Sequence, residues 1–442
     1  MTAPVLVWFR RDLRLDDQPA LRAAVATGRP VACAFVLDAR IFRGPGSAPI
    51  RVGFLLEGLR DLDARLRERG GGLLLRIGPS ERELLGLAQE LGATEVHACA
   101  DEEPFARTRD EHAADLLRDA GVRLVLHHDL TVHPHGAVER EDGGAYRTYS
   151  SYARAVGRLG IPDPCPEALR RHLLAVTEAV AVPQLDSLGS GTEARSDLEG
   201  GETAALARLR AWRDGGLARY AARRNEIADP DATSRLSAYL KLGMLSPRRC
   251  AAVAQAAGAR KWLAELLWRD WFKYVLHHHP DLAERSVDPR YDALEWSGDD
   301  AAFERWKRGE TGFGLVDAGM RQLAETGYQP NRVRMVCASF LTKHLHVDWR
   351  RGERWYRETL IDGDLSQNAG GWQWVAGTGL DAAPYFRIIN PLLQEARFDA
   401  GGAYVARWAP DRPAPMLDLA RERQVTLERY RAVTATGPSP KG

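Results

Sequence analysis

Residues 360–395, LIDGDLSQNAGGWQWVAGTGLDAAPYFRIINPLLQE, hold the densest set of side chains able to do chemistry. Three aspartates (Asp362, Asp364, Asp381), two indoles (Trp372, Trp374) and an amide pair (Gln367, Asn368) stand among five glycines. Glycine lets a ligand approach the backbone closely, indoles offer flat contact area, and a carboxylate taken out of water needs a designated partner. Two readings fit: a wall meeting a large polar-aromatic ligand, or an irregular buried loop between helices.

A second constellation lies upstream. Trp262, Glu265, Trp268, Arg269 and Phe272 recur at three and four, which places them on one helix face. A carboxylate among three aromatics is desolvated unless a polar ligand meets it; a surface Glu–Arg pair is the alternative. Thr233-Ser234-Arg235-Leu236-Ser237 follows Asp229-Pro230-Asp231 and reads as a helix opening. Its hydroxyls suit N-caps, and exposed helix N–H groups with hydroxyls also hold phosphate. Ser246-Pro247 caps the next helix, with proline at its first position. His127, His128, His133 and His135 match no common metal-ligand spacing and read as strand-end and loop histidines. His277–His279 end a helix just before Pro280, where donors suit the last carbonyls.

The elements that must position these groups fall into two styles. Val5–Phe9, Val31–Leu37, Leu73–Ile77, Glu95–Ala98 and Leu124–His127 are short apolar runs that read as strands. Helical periodicity fills the intervals at Leu21–Ala26, Arg51–Arg67, Glu81–Leu91 and Arg107–Ala120. This alternation predicts a Rossmann-like parallel sheet covered on both faces. Neither G-x-G-x-x-G after the first strand nor G-x-x-x-x-G-K-[ST] is present, which removes the usual nucleotide signatures. Periodicity fades from about 128 to 200, where prolines and the run SLGSGTEARSDLEGG predict a long connector. Beyond 200 the pattern is helical throughout. The expected divisions are 1–130, an α/β domain; 131–200, a linker; and 201–442, an all-α domain.

Bulk properties are permissive. The 442 residues carry 61 Lys+Arg against 60 Asp+Glu, so any grip on nucleic acid must be a local patch. Five scattered cysteines without C-x-x-C predict reduced thiols in a cytoplasmic protein. The N-terminus lacks the order of a signal peptide, and no apolar run predicts a membrane span. Eleven of twelve tryptophans follow residue 210, which already divides the chain in two.

The run D-G-D-L-x-x-N-x-G-G-W-Q-W (362–374), followed by D-A-A-P-Y-F-R-I-x-N-P (381–391), resembles the flavin-binding core of the DNA photolyase/cryptochrome family. The resemblance covers most of the chain and is strongest from Tyr220 to Trp408, closest to the class I cyclobutane pyrimidine dimer branch. It implies FAD contacts from Tyr220, Thr233, Ser234, Arg235, Leu236, Ser237, Trp262, Arg269, Arg334, Asp362, Gly363, Asp364 and Asn368. Arg334 is expected to pair with Asp362. Contacts to damaged DNA are implied for Arg224, Glu265, Trp268, Asn331, Arg332, Met335, Trp374 and Gln394. Trp296, Trp349 and Trp372 fall where the family's electron-relay tryptophans fall, and Glu265 and Asn368 complete the implied catalytic set. Asn368 is the photolyase pattern beside the flavin, where plant cryptochromes carry aspartate; Ala369 departs from a common asparagine.

Tyr328, Gln329 and Pro330 depart from the family's Trp-Met-His and put the lesion geometry near Tyr328 in question. The histidine pair of relatives that repair the other ultraviolet lesion is missing, which favours cyclobutane dimers. Arg51, Asp101 and Glu103 are similar to deazaflavin-binding relatives, and Phe105-Ala106 replaces the Asn-Glu of the folate type. The implied antenna is therefore a deazaflavin or FMN rather than folate, or an empty pocket. The resemblance implies a monomer that flips a pyrimidine dimer out of DNA and repairs it with light. Two alternatives remain: a cryptochrome-like blue-light receptor, and a flavin-free helical DNA-binding protein. Asn368 and the lack of a long C-terminal extension weigh against the first.

Overall fold

A computed structural model describes residues 2–140, 142–167, 173–176, 181–188 and 196–436. The Gly-rich part of the connector at 189–195 and the Gly-Pro-Ser-Pro tail lie outside the described residues. The chain forms two compact units. The first comprises Met1–Tyr146, Ser150–Ala218 and Ser234–Pro280; the second comprises Arg147–Tyr149, Arg219–Thr233 and Asp281–Gly442. This grouping divides the chain differently from the three consecutive segments expected above.

The first unit holds five parallel strands: β1 (Val5–Phe9), β2 (Val31–Leu37), β3 (Leu73–Ile77), β4 (Glu95–Cys99) and β5 (Arg123–His127). Their order is β3-β2-β1-β4-β5, so the winding reverses between β1 and β4. β1 and β2 are buried along their whole length, which is why they read as continuous apolar runs instead of alternating ones. Leu6, Trp8, Ala32, Ala34 and Val36 share one cluster with Leu84, Leu87, Ala88, Ala113 and Leu117 from the crossover helices. Each large aliphatic chain withdrawn from water there contributes about 1.5–3 kcal/mol.

The connector is not structureless. Tyr149–Leu159 is a helix burying Tyr152, Ala155 and Val156, a spacing of three and one that completes a helical face. The helix Arg260–His278 also belongs to the first unit.

Among the described residues the second unit contains no strand and is built from helices. Those that matter below are Gly314–Thr326, Asn331–Lys343, Trp349–Thr359, Leu365–Ala376 and Pro391–Phe398. Its core holds Trp306, Phe340, Trp349, Tyr356 and Trp372. The irregular-loop reading of 360–395 is overturned at its centre. Asp364 caps the helix Leu365–Ala376 by accepting from Ser366 N, and Gly377 closes it at φ 80°. The two glycines inside the run hid that helix, since glycine lowers helix propensity.

Candidate functional site

In the second unit, Asp362 and Arg334 pair as expected, Nη2 to Oδ2 at 3.0 Å. Arg334 Nε also donates to the carbonyl of Gln329 at 2.8 Å. Asp362 Oδ1 is buried and has no protein hydrogen-bond partner among the described residues. A buried carboxylate oxygen without a donor is costly, so this atom is set for a ligand donor. Asp364 is instead occupied structurally, taking Ser366 N and Oγ.

Asn368 lies one turn along the same helix. Its Nδ2 donates to the Glu353 carbonyl at 2.7 Å and to Glu353 Oε1 at 3.0 Å. Both partners are acceptors, so the amide orientation is determined and Oδ1 is the end left for a ligand. Burial raises the Glu353 carboxyl above its ordinary range, and Arg357, with Nε 3.2 Å from Oε1, opposes that.

Three of the lesion-contact candidates of this unit line one cavity of about 430 Å³. Arg332, Met335 and Gln394 are joined there by Asn225, Arg387, Asn390, Arg397 and Phe398. Arg332 and Arg397 lie over the Phe398 ring at 4.7 and 5.1 Å, and Arg387 lies 5.8 Å from the ring of Trp374. Burial lowers the Arg332 guanidinium from its ordinary value, and repulsion from Arg224, Arg397 and Arg387 lowers it further. Like charges held this close gain from an anion between them. Asn331 is exposed at the start of its helix. Arg387, Arg397 and Asn225 were not anticipated; their sequence signal was a pair of arginines flanking the Asn390-Pro391 helix start.

The departures at 328–330 are not part of this cavity's lining. Gln329 is fully buried and accepts from the Tyr356 hydroxyl at 2.7 Å, so it is a core residue rather than a lesion contact. The Tyr328 hydroxyl lies 3.3 Å from Thr233 Oγ1. Tyr220 is buried in a single helical turn, Tyr220–Arg223, with Arg224 immediately after. Trp349 and Trp372 are core residues, and Trp296 packs against the same core, partly buried. Trp372 meets Tyr356 edge-on at 5.1 Å and Trp306 at 6.2 Å.

In the first unit, 234–237 differs from expectation. The helix begins only at Ser237, is five residues long, and has Leu236 as its uncapped start. Arg235 sits at φ 51° and Leu236 near the right-handed region, a succession that turns consecutive N–H groups toward one point, as anion-holding nests do. The hydroxyls are therefore not N-caps. The Arg235 side chain pairs with Asp197.

Trp262 is buried against Trp212 at 6.3 Å, and Trp268 meets Phe272 at 5.8 Å. Arg269 donates to the carbonyls of Leu130 and Leu240 at 2.7 and 3.2 Å, which stitches the helix to its surroundings. Glu265 is not desolvated as expected: its side chain is 32% exposed, with Lys261 at 3.8 Å. The antenna candidates Asp101 and Glu103 share Arg11, and Lys241 reaches Glu103 at 3.1 Å. Arg51 donates to the Gly46 carbonyl at 2.5 Å.

A parallel α/β unit and a helical unit with one buried carboxylate oxygen left without a donor define a two-part cofactor-binding protein. Residues 5–168 match the family model of DNA photolyase, and residues 262–414 match that of the FAD binding domain of DNA photolyase. The deoxyribodipyrimidine photo-lyase of a Thermus thermophilus strain is 42% identical over 436 residues, 96% of this chain and 98% of that protein. The crystal structure of a bacterial class III photolyase from Agrobacterium tumefaciens superposes with TM-score 0.89 at 35% identity, covering 99% of this chain and 98% of that one. The archaeal photolyase of Sulfolobus tokodaii, solved with two FAD molecules, gives TM-score 0.87 at 28% identity over 97% and 100% of the chains. The chain belongs to the DNA photolyase family, and FAD is its cofactor. Within the second unit the residues fit FAD: Asp362 Oδ1 lacks a donor and Asn368 offers an acceptor.

Proposed function

We propose that the protein repairs cyclobutane pyrimidine dimers in DNA with blue light. The observation that carries this reading is the Arg332–Arg387–Arg397 cavity in the unit that also holds Asn368 and Asp362. When bound, reduced FAD supplies the electron that opens the cyclobutane ring after light is absorbed. Every other step falls to the chain. Asp362, held by Arg334, accepts from the cofactor ring, and Asn368 presents Oδ1 to it. Tyr220, Thr233 and Gly363 in the second unit, and Ser234–Ser237, Trp262 and Arg269 in the first, are further cofactor contacts.

Arg224, Arg332, Asn331, Met335, Trp374 and Gln394 receive the damaged strand, with the dinucleotide flipped out of the stack, as chemistry on bases requires. Glu265 and Trp268 meet the flipped bases. Trp372, Trp349 and Trp296 carry electrons inward to regenerate the reduced cofactor. Arg51, Asp101 and Glu103 are candidates for a second, light-harvesting cofactor, a role that the Sulfolobus tokodaii structure's second FAD molecule makes reasonable. The class I placement stands beside a class III likeness, and the substrate reading does not depend on it. Among the described residues no helix is long and apolar enough to cross a membrane. The five cysteines are free thiols, which suits a reducing, cytoplasmic compartment, and in this reading the enzyme works as a monomer.

Incubation of the reduced protein with thymine-dimer DNA under blue light tests the reading. Restored thymine under illumination, and none in darkness, is expected. A bound flavin without any repair would favour the cryptochrome-like receptor.

A further inference from the structure

The residues assigned above leave unused a group of imidazoles in the first unit. His135, 8% exposed, has Nε2 2.8 Å from Glu102 Oε1. Its ring lies 4.9 Å from His277 and 6.2 Å from His128, and His277 meets His278 at 5.1 Å. Tyr274, one turn back, contacts both His278 and His135, at 4.6 and 6.0 Å. Among the described residues no three carboxylate, thiol or imidazole groups converge as metal ligands would. What rings gathered this way can gain is protons.

Their position gives them leverage. Among the described residues, the helix Arg260–His278 is stitched to the segment 128–146 by hydrogen bonds and ring contacts. Arg269 donates to Leu130 O at 2.7 Å, Asp270 Oδ2 accepts from Val132 N at 2.7 Å, and Tyr274 accepts from Tyr146 N at 2.9 Å. The His135 ring adds a tilted contact with His277 and an edge contact with Tyr274. We propose that the imidazoles form an acid-sensitive latch: neutral rings close the C-terminal half of this helix onto segment 128–146, and added protons loosen it. The same helix carries Trp262, Glu265 and Trp268. The latch stands independently of the repair reading, and only its consequence for those three side chains rests on that reading.

The charges facing the cluster are few. Glu102, just before the helix Pro104–Asp119, is the acid at its centre, pulled down to about 2 against burial by His135 and Lys273. Asp129 faces His128 but is already bound by Arg14 and Arg248. Glu139 faces His278, Arg107 adds positive charge toward His277, and His279 does so toward His278. Asp270 also faces His135 but is already engaged by Arg269 and the Val132 N–H, so protons added to neighbouring rings meet like charge. Burial, with His135 as a positive neighbour, pushes His128, His277 and His278 below the ordinary 6.5. An imidazole kept neutral in the fold binds fewer protons than in the unfolded chain. Stability from these groups is therefore complete above about pH 6.5 and is lost as pH falls below it.

Hydrogen exchange of the holoprotein reads this locally. Between about pH 7.5 and 5.5, after correction for intrinsic rates, amides 270–278 are expected to open by roughly tenfold more, with the helix Gly314–Thr326 as reference. His277→Gln/His278→Gln should flatten that dependence. Imidazole NMR titration of the unmodified protein supplies a check that needs no variant, with midpoints below 6.5 expected for His128, His277 and His278. Midpoints at or above 6.5, pH-independent exchange at 270–278, or an undiminished dependence in the double variant would each overturn the latch.

Discussion

Gly352 offers a sharp test of how tightly the first proposed relay tryptophan is held. It lies in the helix Trp349–Thr359, and a Cβ built on it would sit 2.2 Å from Trp372 Cη2, 2.5 Å from Cζ3 and 2.6 Å from Leu341 Cδ2. Ordinary contact begins near 3.4 Å, so Gly352→Ala must drive the indole back by about 1 Å. Trp372 is already in ring contact with Tyr356 at 5.1 Å and Trp306 at 6.2 Å, which limits its freedom to shift. Overpacking of this kind costs about 1–3 kcal/mol, and alanine in a helix returns about 1 kcal/mol over glycine. The net loss is up to about 2 kcal/mol, which lowers the melting midpoint by a few degrees. Light-driven reduction of oxidised cofactor should slow, because the indole has moved, while repair by chemically pre-reduced protein should change little. Calorimetry and photoreduction on one preparation measure both. A raised midpoint together with an unchanged photoreduction rate would refute the packing reasoning.

Three further outcomes follow from the same geometry. Trp372→Phe should abolish photoreduction and leave repair by pre-reduced protein nearly intact; equal loss of both would make Trp372 structural. Glu265→Ala should leave stability within about 0.5 kcal/mol and FAD content unchanged, since the carboxylate is part-exposed and its ion pair with Lys261 is long, at 3.8 Å. Affinity for dimer DNA should nevertheless fall roughly tenfold or somewhat more, with a lower repair yield per photon; unchanged values would remove Glu265 from the lesion site. Binding to undamaged duplex should be weak and fall with salt at a slope of about −3 to −4, set by Arg224, Arg332, Arg387 and Arg397. Arg397→Ala should reduce that slope by roughly 1, and a slope unaffected by it would place the DNA elsewhere.

Much of the first unit was readable in residue order. Strands such as VLVWF and VACAFVL are apolar throughout because both faces of a parallel sheet are covered, and the intervening helices keep their period. The helix Tyr149–Leu159 was missed although its buried Tyr152, Ala155 and Val156 carry the period, because the surrounding prolines pointed to a connector. The Arg334–Asp362 pair was anticipated from the motif and found at 3.0 Å.

Side-chain roles that depend on surroundings were not readable. Glu265 looked desolvated among aromatics, yet its rotamer reaches solvent, since a helix face says which residues are neighbours but not how far a long side chain extends. Gln329 stood out as a departure from the family pattern and is a core acceptor for Tyr356, a residue 27 positions away. The gathering of histidines from 128, 135, 277 and 278 could not be foreseen, because the chain separates them by up to half a domain's length. Periods, caps and the motif are local properties of neighbouring residues, and the order of amino acids sets them unaided. Which polar atoms lack partners, and which like charges are crowded together, was settled by folding alone. Those quantities depend on desolvation and on distances between residues far apart in the chain.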